Sequence, residues 1–244
     1  MRKKLINILI GISLLAVGVC GVLVYMNYRE NTNANAMQNE MPAMKPPVSN
    51  ANEDGELSAD MPLMDFSGLK TENPDILAWL TIPGTVIDYP IVQSTDNSYY
   101  LEHDVKKRKN KNGTIFLDYR NNADFSDFNS ILHGHHMKSG QMFQNLVKFK
   151  DEDFFDNHTT AILYTPAKTY ALEIVAVAVV PQNSVLYTYA FASPAEKETH
   201  LSEIINSAKF IRETDMTVND RLITMSTCSY EFKDARTIVI ARIR

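Results

Sequence analysis

The longest uncharged stretch of the chain lies close to its N-terminus, and it restricts this end to very few structures. Residues 5–26 contain no charged side chain, and their only clearly polar members are Asn7 and Ser13. As a helix they extend about 33 Å, which matches the roughly 30 Å hydrocarbon core of a bilayer. Three basic residues at positions 2–4 precede the stretch, and only Arg29 follows it closely. This bias predicts a single membrane span with a cytoplasmic N-terminus and an extracellular remainder.

A cleaved secretion signal is the alternative interpretation of this stretch. The apolar region of such a signal is about 7–15 residues long and ends at a site of small residues. The stretch is longer than that, and residues 22–26 offer no such site. A lipoprotein signal needs a small residue before its cysteine, whereas Val19 precedes Cys20. We therefore predict a cytoplasmic segment at residues 1–4 and an uncleaved anchor at residues 5–26.

The composition beyond the anchor predicts one acidic folded domain. Residues 1–26 hold three of the 24 basic residues and none of the 29 acidic ones. The formal net charge is therefore −5 for the whole chain and −8 for residues 27–244. Such a charge argues against nucleic-acid binding. The chain also lacks the glycine-rich patterns that hold phosphates, and we expect no cofactor.

Two regions follow the anchor. Residues 27–61 are polar and rich in proline and acidic side chains, and we predict a mobile extracellular stalk, because such a segment buries too little apolar surface to offset its ordering entropy. Residues 62–244 form the predicted folded domain.

The folded domain shows about eight short β-like runs separated by turn residues, which is typical of a barrel or a sandwich. These runs are residues 79–82, 85–92, 113–119, 130–135, 161–166, 170–180, 221–227 and 237–243. Three helices are predicted as well. One lies within residues 66–80, with Asn73 as its cap before Pro74; the others are residues 139–148 and 194–213.

The cysteine count points to a single candidate nucleophile. Two cysteines exclude a disulfide scaffold and a zinc site of four cysteines. Cys20 lies in the predicted span, so Cys228 is the only thiol expected outside the cell, where an unpaired thiol is a candidate reactive group. Cys228 ends the apolar run 222–228, and a rigid strand end suits a nucleophile. The alternative is a buried cysteine that only packs.

A cysteine nucleophile needs an imidazole and a group that stabilises developing charge. Arg236 follows Cys228 by eight residues, so a turn between two strands would bring them together, and the guanidinium could stabilise an oxyanion. The alternative is a surface arginine paired with Asp234. Histidines at 133, 135 and 136 end another predicted strand. His133 and His135 alternate onto one face, which allows a zinc site, but no third ligand is evident and we expect no metal.

Four strings in the same order resemble class B members of the sortase family. Residues 224–228 (TMSTC) resemble the TLxTC signature, and residues 228–236 resemble the segment from the cysteine to the arginine. Residues 129–137 resemble the histidine loop, and residues 73–85 resemble the start of the barrel. The match covers about residues 62–244. It implies a mainly β fold, an eight-stranded sortase-type β-barrel with peripheral helices, preceded by a single transmembrane helix.

The resemblance also implies residue roles. Cys228 would be the nucleophile, His135 the general acid and base, and Arg236 the group that binds substrate and the oxyanion, together with the backbone N–H that follows Cys228. His136 is the alternative to His135, because His133 stands where the family commonly has an aromatic residue and His136 where it commonly has asparagine. A specificity loop is expected at about residues 180–216. The candidates to line the substrate groove are Ser226, Thr227, Tyr187, Thr188 and Tyr189.

Sortases are membrane-anchored cysteine transpeptidases, or thiol proteases, of Gram-positive bacteria. The implied reaction cleaves a C-terminal sorting signal, NPxTx- or (S/P)PxTG-like, through a thioacyl intermediate. The implied partners are the surface proteins that carry this signal, the membrane, and a peptidoglycan precursor that supplies the amine of lipid II or of a stem peptide.

Two other functions remain to be compared with this one. A membrane-tethered sortase-like binding or assembly module without turnover would not react with a substrate-mimicking vinyl sulfone at Cys228. An L,D-transpeptidase would carry histidine and glycine just before its cysteine, whereas this chain has residues 225–227 (MST) there.

Overall fold

The structure, a computed structural model, describes residues 2–49, 61–212 and 215–244. Its first element is helix α1 (Arg2–Met44), whose segment Arg2–Met26 has a mean hydropathy of 2.6 and is long and apolar enough to cross a membrane. The predicted anchor thus lies within one helix, a candidate membrane span. The helix does not end with the apolar run but continues to Met44, so the first part of the predicted stalk is helical, while residues 50–60 lie outside the described residues.

The described residues after α1 form mainly strands. The strands are β1 (Val48–Ser49), β2 (Leu63–Met64), β3 (Ile76–Thr81), β4 (Asp88–Val92), β5 (Phe116–Leu117), β6 (Asn129–His133), β7 (Thr160–Tyr164), β8 (Thr169–Pro181), β9 (Ala208–Ile211), β10 (Leu222–Cys228) and β11 (Ala235–Ile243). The helices are α2 (Ser67–Glu72), α3 (Glu152–Asn157) and α4 (Pro194–Ser207), with 3₁₀ turns at Tyr99–Leu101, Phe143–Lys150 and Val185–Tyr187.

Eight strands close into a barrel. Their order is β11–β10–β6–β5–β4–β3–β7–β8, and antiparallel pairing of β8 with β11 joins the two ends. The β10–β6 and β4–β5 pairs are parallel, and the other neighbours in the barrel are antiparallel. Closure satisfies the backbone groups that an open sheet would leave at its edges. The eight-stranded barrel predicted from the sequence is confirmed.

The prediction of a helix that begins at Asn73 is wrong. Asn73 instead ends α2, and its buried side-chain amide donates to the Val105 carbonyl at 2.7 Å and to the Tyr100 hydroxyl at 2.9 Å. Strand β3 follows almost at once, and four of its six residues are buried. Because both faces of the strand are covered, its apolar residues do not alternate with polar ones, and the run cannot be told from a buried helix by its pattern.

Helix α4 begins where its sequence predicts but ends earlier. The Ser193 hydroxyl accepts from the Glu196 N–H, and the Glu196 carboxylate accepts from the Ala192 N–H, a reciprocal cap. The predicted helix extended to residue 213, whereas α4 ends at Ser207 and β9 follows it. β9 pairs with the second half of the 13-residue strand β8, which would otherwise have an open edge there.

The helix predicted at 139–148 is the 3₁₀ turn Phe143–Lys150.

Contacts outside the barrel fix the 3₁₀ turn Val185–Tyr187 against the strands. An apolar cluster joins Leu186 of this turn and Leu201 of α4 to residues of β8, β10 and β11. Asn129, fully buried at the start of β6, donates to the carbonyls of Leu186 (3.3 Å) and Thr188 (2.9 Å), while its own oxygen accepts from the Thr224 hydroxyl. The turn is thereby tied to β6 and β10, which carry the candidate site residues.

His200 of α4 makes the stability of the fold sensitive to acid. Its imidazole is 4% exposed, packs against Phe128 and Phe191, and its Nε2 has no hydrogen-bond partner in the described part of the chain. Burial lowers the pKa of His200 from 6.5 to about 4. The unfolded chain therefore binds this proton more readily, and the free energy of unfolding decreases by about 3 kcal/mol as the pH falls from about 6.5 to 4.

His200→Phe tests this pH dependence, because it keeps an aromatic ring in the cluster but cannot bind a proton. We expect the difference in unfolding free energy between the two proteins to grow in favour of the variant between pH 7 and pH 4. Urea unfolding at several pH values measures it, and other acid-sensitive groups cancel in the comparison. A difference that stays constant over this range would contradict the role given to His200.

Candidate active site

Cys228 and Arg236 lie directly opposite each other at one end of the barrel. Cys228 is the last residue of β10, and Arg236 is its register partner in the antiparallel strand β11. The neighbouring Ser229 N–H donates to the Ala235 carbonyl at 3.0 Å. The Cys228–Arg236 pair is consequently a pair without ladder hydrogen bonds, the type in which opposite side chains come closest. Both residues are half-buried, so a thiol and a guanidinium share one accessible site.

The Arg236 guanidinium is held by two acceptors. Its Nη1 donates to the Ala235 carbonyl at 3.0 Å, and its Nη2 donates to the Gln182 side-chain oxygen at 3.1 Å. Gln182 is itself fixed by its N–H, which donates to the Asp234 carbonyl at 3.1 Å. In the described residues the guanidinium is therefore paired with neutral oxygens, and the ion pair with Asp234 considered from the sequence is not formed.

The same hydrogen bonds change the expected set of oxyanion donors. The resemblance implied that the N–H after Cys228, that of Ser229, would help to hold an oxyanion. In the structure this N–H is already bonded to the Ala235 carbonyl, so it could reach a substrate only by giving up that bond. Arg236 remains as the cationic donor at this point, because a guanidinium has five N–H groups and only two are used here.

The histidine loop (residues 129–137) begins as β6, which runs beside β10, the strand that ends at Cys228. In the parallel pair β6–β10, His133 lies beside Ser226, and beyond it the Gly134 N–H donates to the Ser226 carbonyl at 3.1 Å. The ladder ends at this pair, and the Thr227 hydroxyl then donates to the Gly134 carbonyl at 2.9 Å, so the segment that carries His135 and His136 begins beside the end of β10. Gly134 is needed at this point: a Cβ there would lie 2.7 Å from the ring of Phe143.

Each of the two candidate histidines has one ring nitrogen engaged. Nε2 of His135 lies 2.8 Å from the Leu101 carbonyl, and Nδ1 of His136 lies 2.8 Å from the Cys228 carbonyl. A carbonyl oxygen can only accept, so the engaged nitrogen carries the proton in each ring. In the neutral form Nδ1 of His135 and Nε2 of His136 are then the basic atoms. His136 thus contacts the backbone of Cys228, whereas His135 contacts the backbone of the 3₁₀ turn Tyr99–Leu101.

The residues predicted to line the substrate groove differ in their contacts and in their exposure. The Tyr187 hydroxyl is hydrogen-bonded to the Ser226 hydroxyl at 2.7 Å. Burial raises the pKa of Tyr187, the bond to Ser226 and the charge of Arg236 oppose this rise, and Cys228 adds to it. Tyr187 therefore lies within electrostatic range of both Cys228 and Arg236, and the structure brings this half-buried side chain to the site. Ser226 is 4% exposed and is the buried hydroxyl that holds Tyr187 there.

The other three candidates have different surroundings. Tyr189 is half-buried under the Arg120 guanidinium, with 4.3 Å between the guanidinium carbon and the ring centre. The Thr188 hydroxyl donates to the Val185 carbonyl within its own turn. Thr227 is 2% exposed and its hydroxyl donates to the Gly134 carbonyl at 2.9 Å, so the structure does not bring its side chain to the groove surface.

Sequence reasoning missed Asp118, a buried carboxylate close to this site. Asp118 directly follows β5, is 1% exposed, and accepts from the side chains of Arg120 and Asn97 at 2.8 Å and of His133 at 3.1 Å. Although burial opposes it, these bonds hold the pKa of Asp118 well below its usual range. The signal in the sequence was a lone carboxylate at the end of an apolar run. His133 thus pairs with Asp118 and His135 with a carbonyl, rather than both facing one metal position.

Comparison with known proteins gives a consistent result. A model of the Sortase domain matches residues 80–244. Sortase B of Listeria monocytogenes is 33% identical over 231 residues, which is 95% of this chain and 91% of that protein. The X-ray structure of Clostridium perfringens sortase B has a TM-score of 0.71 at 34% identity and covers 74% of this chain and 100% of its own. A Bacillus anthracis protein described as similar to sortase B has a TM-score of 0.73 at 32% identity, covering 88% of this chain and 96% of its own.

Proposed function

The chain belongs to the sortase family as a class B sortase, a cysteine transpeptidase, and on that premise we propose that Cys228, His135 and Arg236 carry out its reaction. The enzyme would cleave the C-terminal sorting signal of a secreted protein and join that protein to an amine of a cell-wall precursor. The register of β10 carries the proposal, because it sets Cys228 against Arg236 on one side and against the histidine loop on the other.

In the first half-reaction the Cys228 sulfur attacks the carbonyl carbon of the scissile peptide bond. The electron pair of that carbonyl moves to its oxygen, and the Arg236 guanidinium stabilises the resulting oxyanion. The C–N bond then breaks, His135 gives its proton to the leaving amine, and a thioester with Cys228 remains.

In the second half-reaction the incoming amine attacks the thioester carbon. His135 accepts a proton from this amine, Arg236 again stabilises the oxyanion, and the C–S bond breaks. A new amide joins the secreted protein to the acceptor, and Cys228 returns as a thiolate. No electrons are gained or lost in the cycle, so the site needs no redox partner.

The finer features of this function rest on the family and on the groove. Tyr187 and Tyr189 would form its wall, Ser226 would hold Tyr187 through their hydrogen bond, and Thr188 would contribute through its backbone position. The substrate would carry an NPxTx- or (S/P)PxTG-like signal, and the acceptor would be lipid II or a stem-peptide amine. With α1 as a single-pass anchor and a cytoplasmic N-terminus, the catalytic domain would act outside the cell membrane.

A transpeptidation assay on the detergent-solubilised full chain tests this proposal. Peptides with each signal type are supplied with an amine acceptor, and mass spectrometry follows cleavage and ligation. We expect one signal type to be cleaved and transferred, and a vinyl sulfone that mimics it to label Cys228. Folded protein that neither cleaves these peptides nor reacts with the vinyl sulfone would favour the tethered binding module.

Arg236→Lys is expected to lower kcat by about 10²-fold, because lysine keeps the charge but cannot reproduce the fixed fork of N–H donors. The measurement is steady-state kinetics with the cleaved peptide. Lys233→Ala, which removes an exposed charge from the same turn, is the matched control and should leave kcat unchanged. An Arg236→Lys enzyme with full kcat would show that the oxyanion is held elsewhere, for example by the Ser229 N–H.

A further inference from the structure

The Asp118 carboxylate is the centre of a side-chain cluster that the proposed mechanism leaves unused. Its oxygens accept two bonds from the Arg120 guanidinium, one from Asn97 and one from His133. Asp118 is almost fully buried, so these bonds are needed to stabilise its negative charge. The same bonds hold the partner side chains in fixed positions. None of its described partners is Cys228, His135 or Arg236.

His133 links the cluster to β10, the strand that ends at Cys228. The His133 ring lies nearly parallel to the Tyr187 ring, with 6.2 Å between centres and 18° between planes. Tyr187 in turn is hydrogen-bonded to Ser226, two residues before Cys228. The bond from His133 to Asp118 sets the plane of the imidazole, and the imidazole therefore limits where the Tyr187 ring can lie.

Arg120 links the cluster to Tyr189, two residues after Tyr187. The guanidinium that is bound to Asp118 on one side lies over the ring of Tyr189 on the other, at 4.3 Å. A guanidinium held by two bonds to one carboxylate has a fixed plane, which is the condition for a stable contact with an aromatic face. Tyr187 and Tyr189, on both sides of Thr188, are thus oriented from one buried group.

We propose that Asp118 is a positioning residue that orients Tyr187 and Tyr189 as the wall of the substrate groove and so sets the affinity for the sorting signal. The proposal rests on the proposed function, since it concerns how that groove binds its peptide. Asp118 acts through its partners and does not touch the thiol, so its removal changes binding of the peptide and leaves the reactivity of Cys228 as it is.

Asp118→Asn is the first test, because asparagine keeps the shape but loses the charge that holds Arg120 and His133. We expect KM for the sorting peptide to rise about tenfold while kcat stays within about twofold. The rate at which iodoacetamide alkylates Cys228 should keep its pH profile. Asp124→Asn, which changes an exposed aspartate bound within its own turn, is the matched control and should leave KM unchanged.

A double-mutant cycle separates positioning from general loss of structure. In a Tyr187→Ala/Tyr189→Ala background, Asp118→Asn should raise KM by less than about twofold, because the groups through which it acts are gone. Should Asp118→Asn fail to fold, as judged by thermal unfolding, His133→Phe replaces it: this variant keeps the ring beside Tyr187 but loses the bond to Asp118. We expect it to raise KM by about threefold with kcat unchanged.

Three results would overturn the proposal: a fall in kcat with KM unchanged, a shifted alkylation profile, or an equal rise in KM with and without the two tyrosines. Each presupposes a wild-type enzyme that cleaves the peptide. If the wild-type chain cleaves none of the sorting peptides, the proposed function fails first, and the two failures are thereby distinguished.

Discussion

Replacing Cys228 with alanine is expected to abolish transpeptidation, with kcat at least about 10⁴-fold below that of the wild-type enzyme. The reason is that no other described group at the site could form the thioester that links the two half-reactions of the proposed mechanism. Arg236 and the histidines would still bind and polarise the peptide, but a direct attack by the acceptor amine lacks the covalent intermediate. The measurement combines steady-state kinetics with mass spectrometry of the acyl-enzyme, which should disappear in the variant.

Cys20→Ala provides the control for this experiment, because it removes the other cysteine of the chain and leaves the site intact. Its kcat and its acyl-enzyme should equal those of the wild-type enzyme. A Cys228→Ala protein that retained more than about 1% of the wild-type kcat would show that Cys228 is not the nucleophile.

Replacing His135 with alanine is expected to lower kcat by about 10³-fold, whereas His136→Ala is expected to lower it by less than about tenfold. The prediction follows from the resemblance to class B sortases, which implies His135 as the acid and base, and from the bond of His136 to the Cys228 carbonyl, which gives that ring a structural role. Removing His136 loosens the backbone at Cys228 but leaves the acid and base in place. Kinetics of both variants, together with the rate of vinyl sulfone labelling, measure the difference.

The two variants serve as controls for each other, since each removes one imidazole from adjacent positions in the same loop. Added imidazole should partly restore the His135→Ala enzyme and have no effect on His136→Ala. The reverse order of effects would assign the acid and base role to His136, whose Nε2 would then be the catalytic atom.

Local patterns predicted about eight short strands of a barrel or a sandwich and the meeting of Cys228 with Arg236, while the choice of the barrel came from the resemblance to class B sortases. Short apolar runs separated by turn residues identify strands, and a short connection between two strands at the end of such a series favours an antiparallel pair. The start of α4 was predictable for the same reason, because Ser193 and Glu196 form its cap within a few residues of sequence.

The features that the sequence could not predict depend on partners far away in the chain. The side chain of Asn73 bonds to Tyr100 and Val105, which no local pattern around a proline shows. The buried Asp118 is held by Arg120 from two residues away and also by His133 and Asn97 from other segments, and the sequence shows only the first of these contacts as local. The engagement of the Ser229 N–H likewise appears only when the register of β10 and β11 is known.

The position of β11 in the barrel has a consequence for the order in which the candidate active site is assembled. β11 follows the seven other barrel strands along the chain, and it both closes the barrel against β8 and supplies Arg236 opposite Cys228. During synthesis from the N-terminus, Cys228 and the histidine loop, which are joined by contacts 92 and 93 residues apart in the chain, are made before Arg236. A nascent chain therefore lacks part of the proposed site until its last barrel strand has docked.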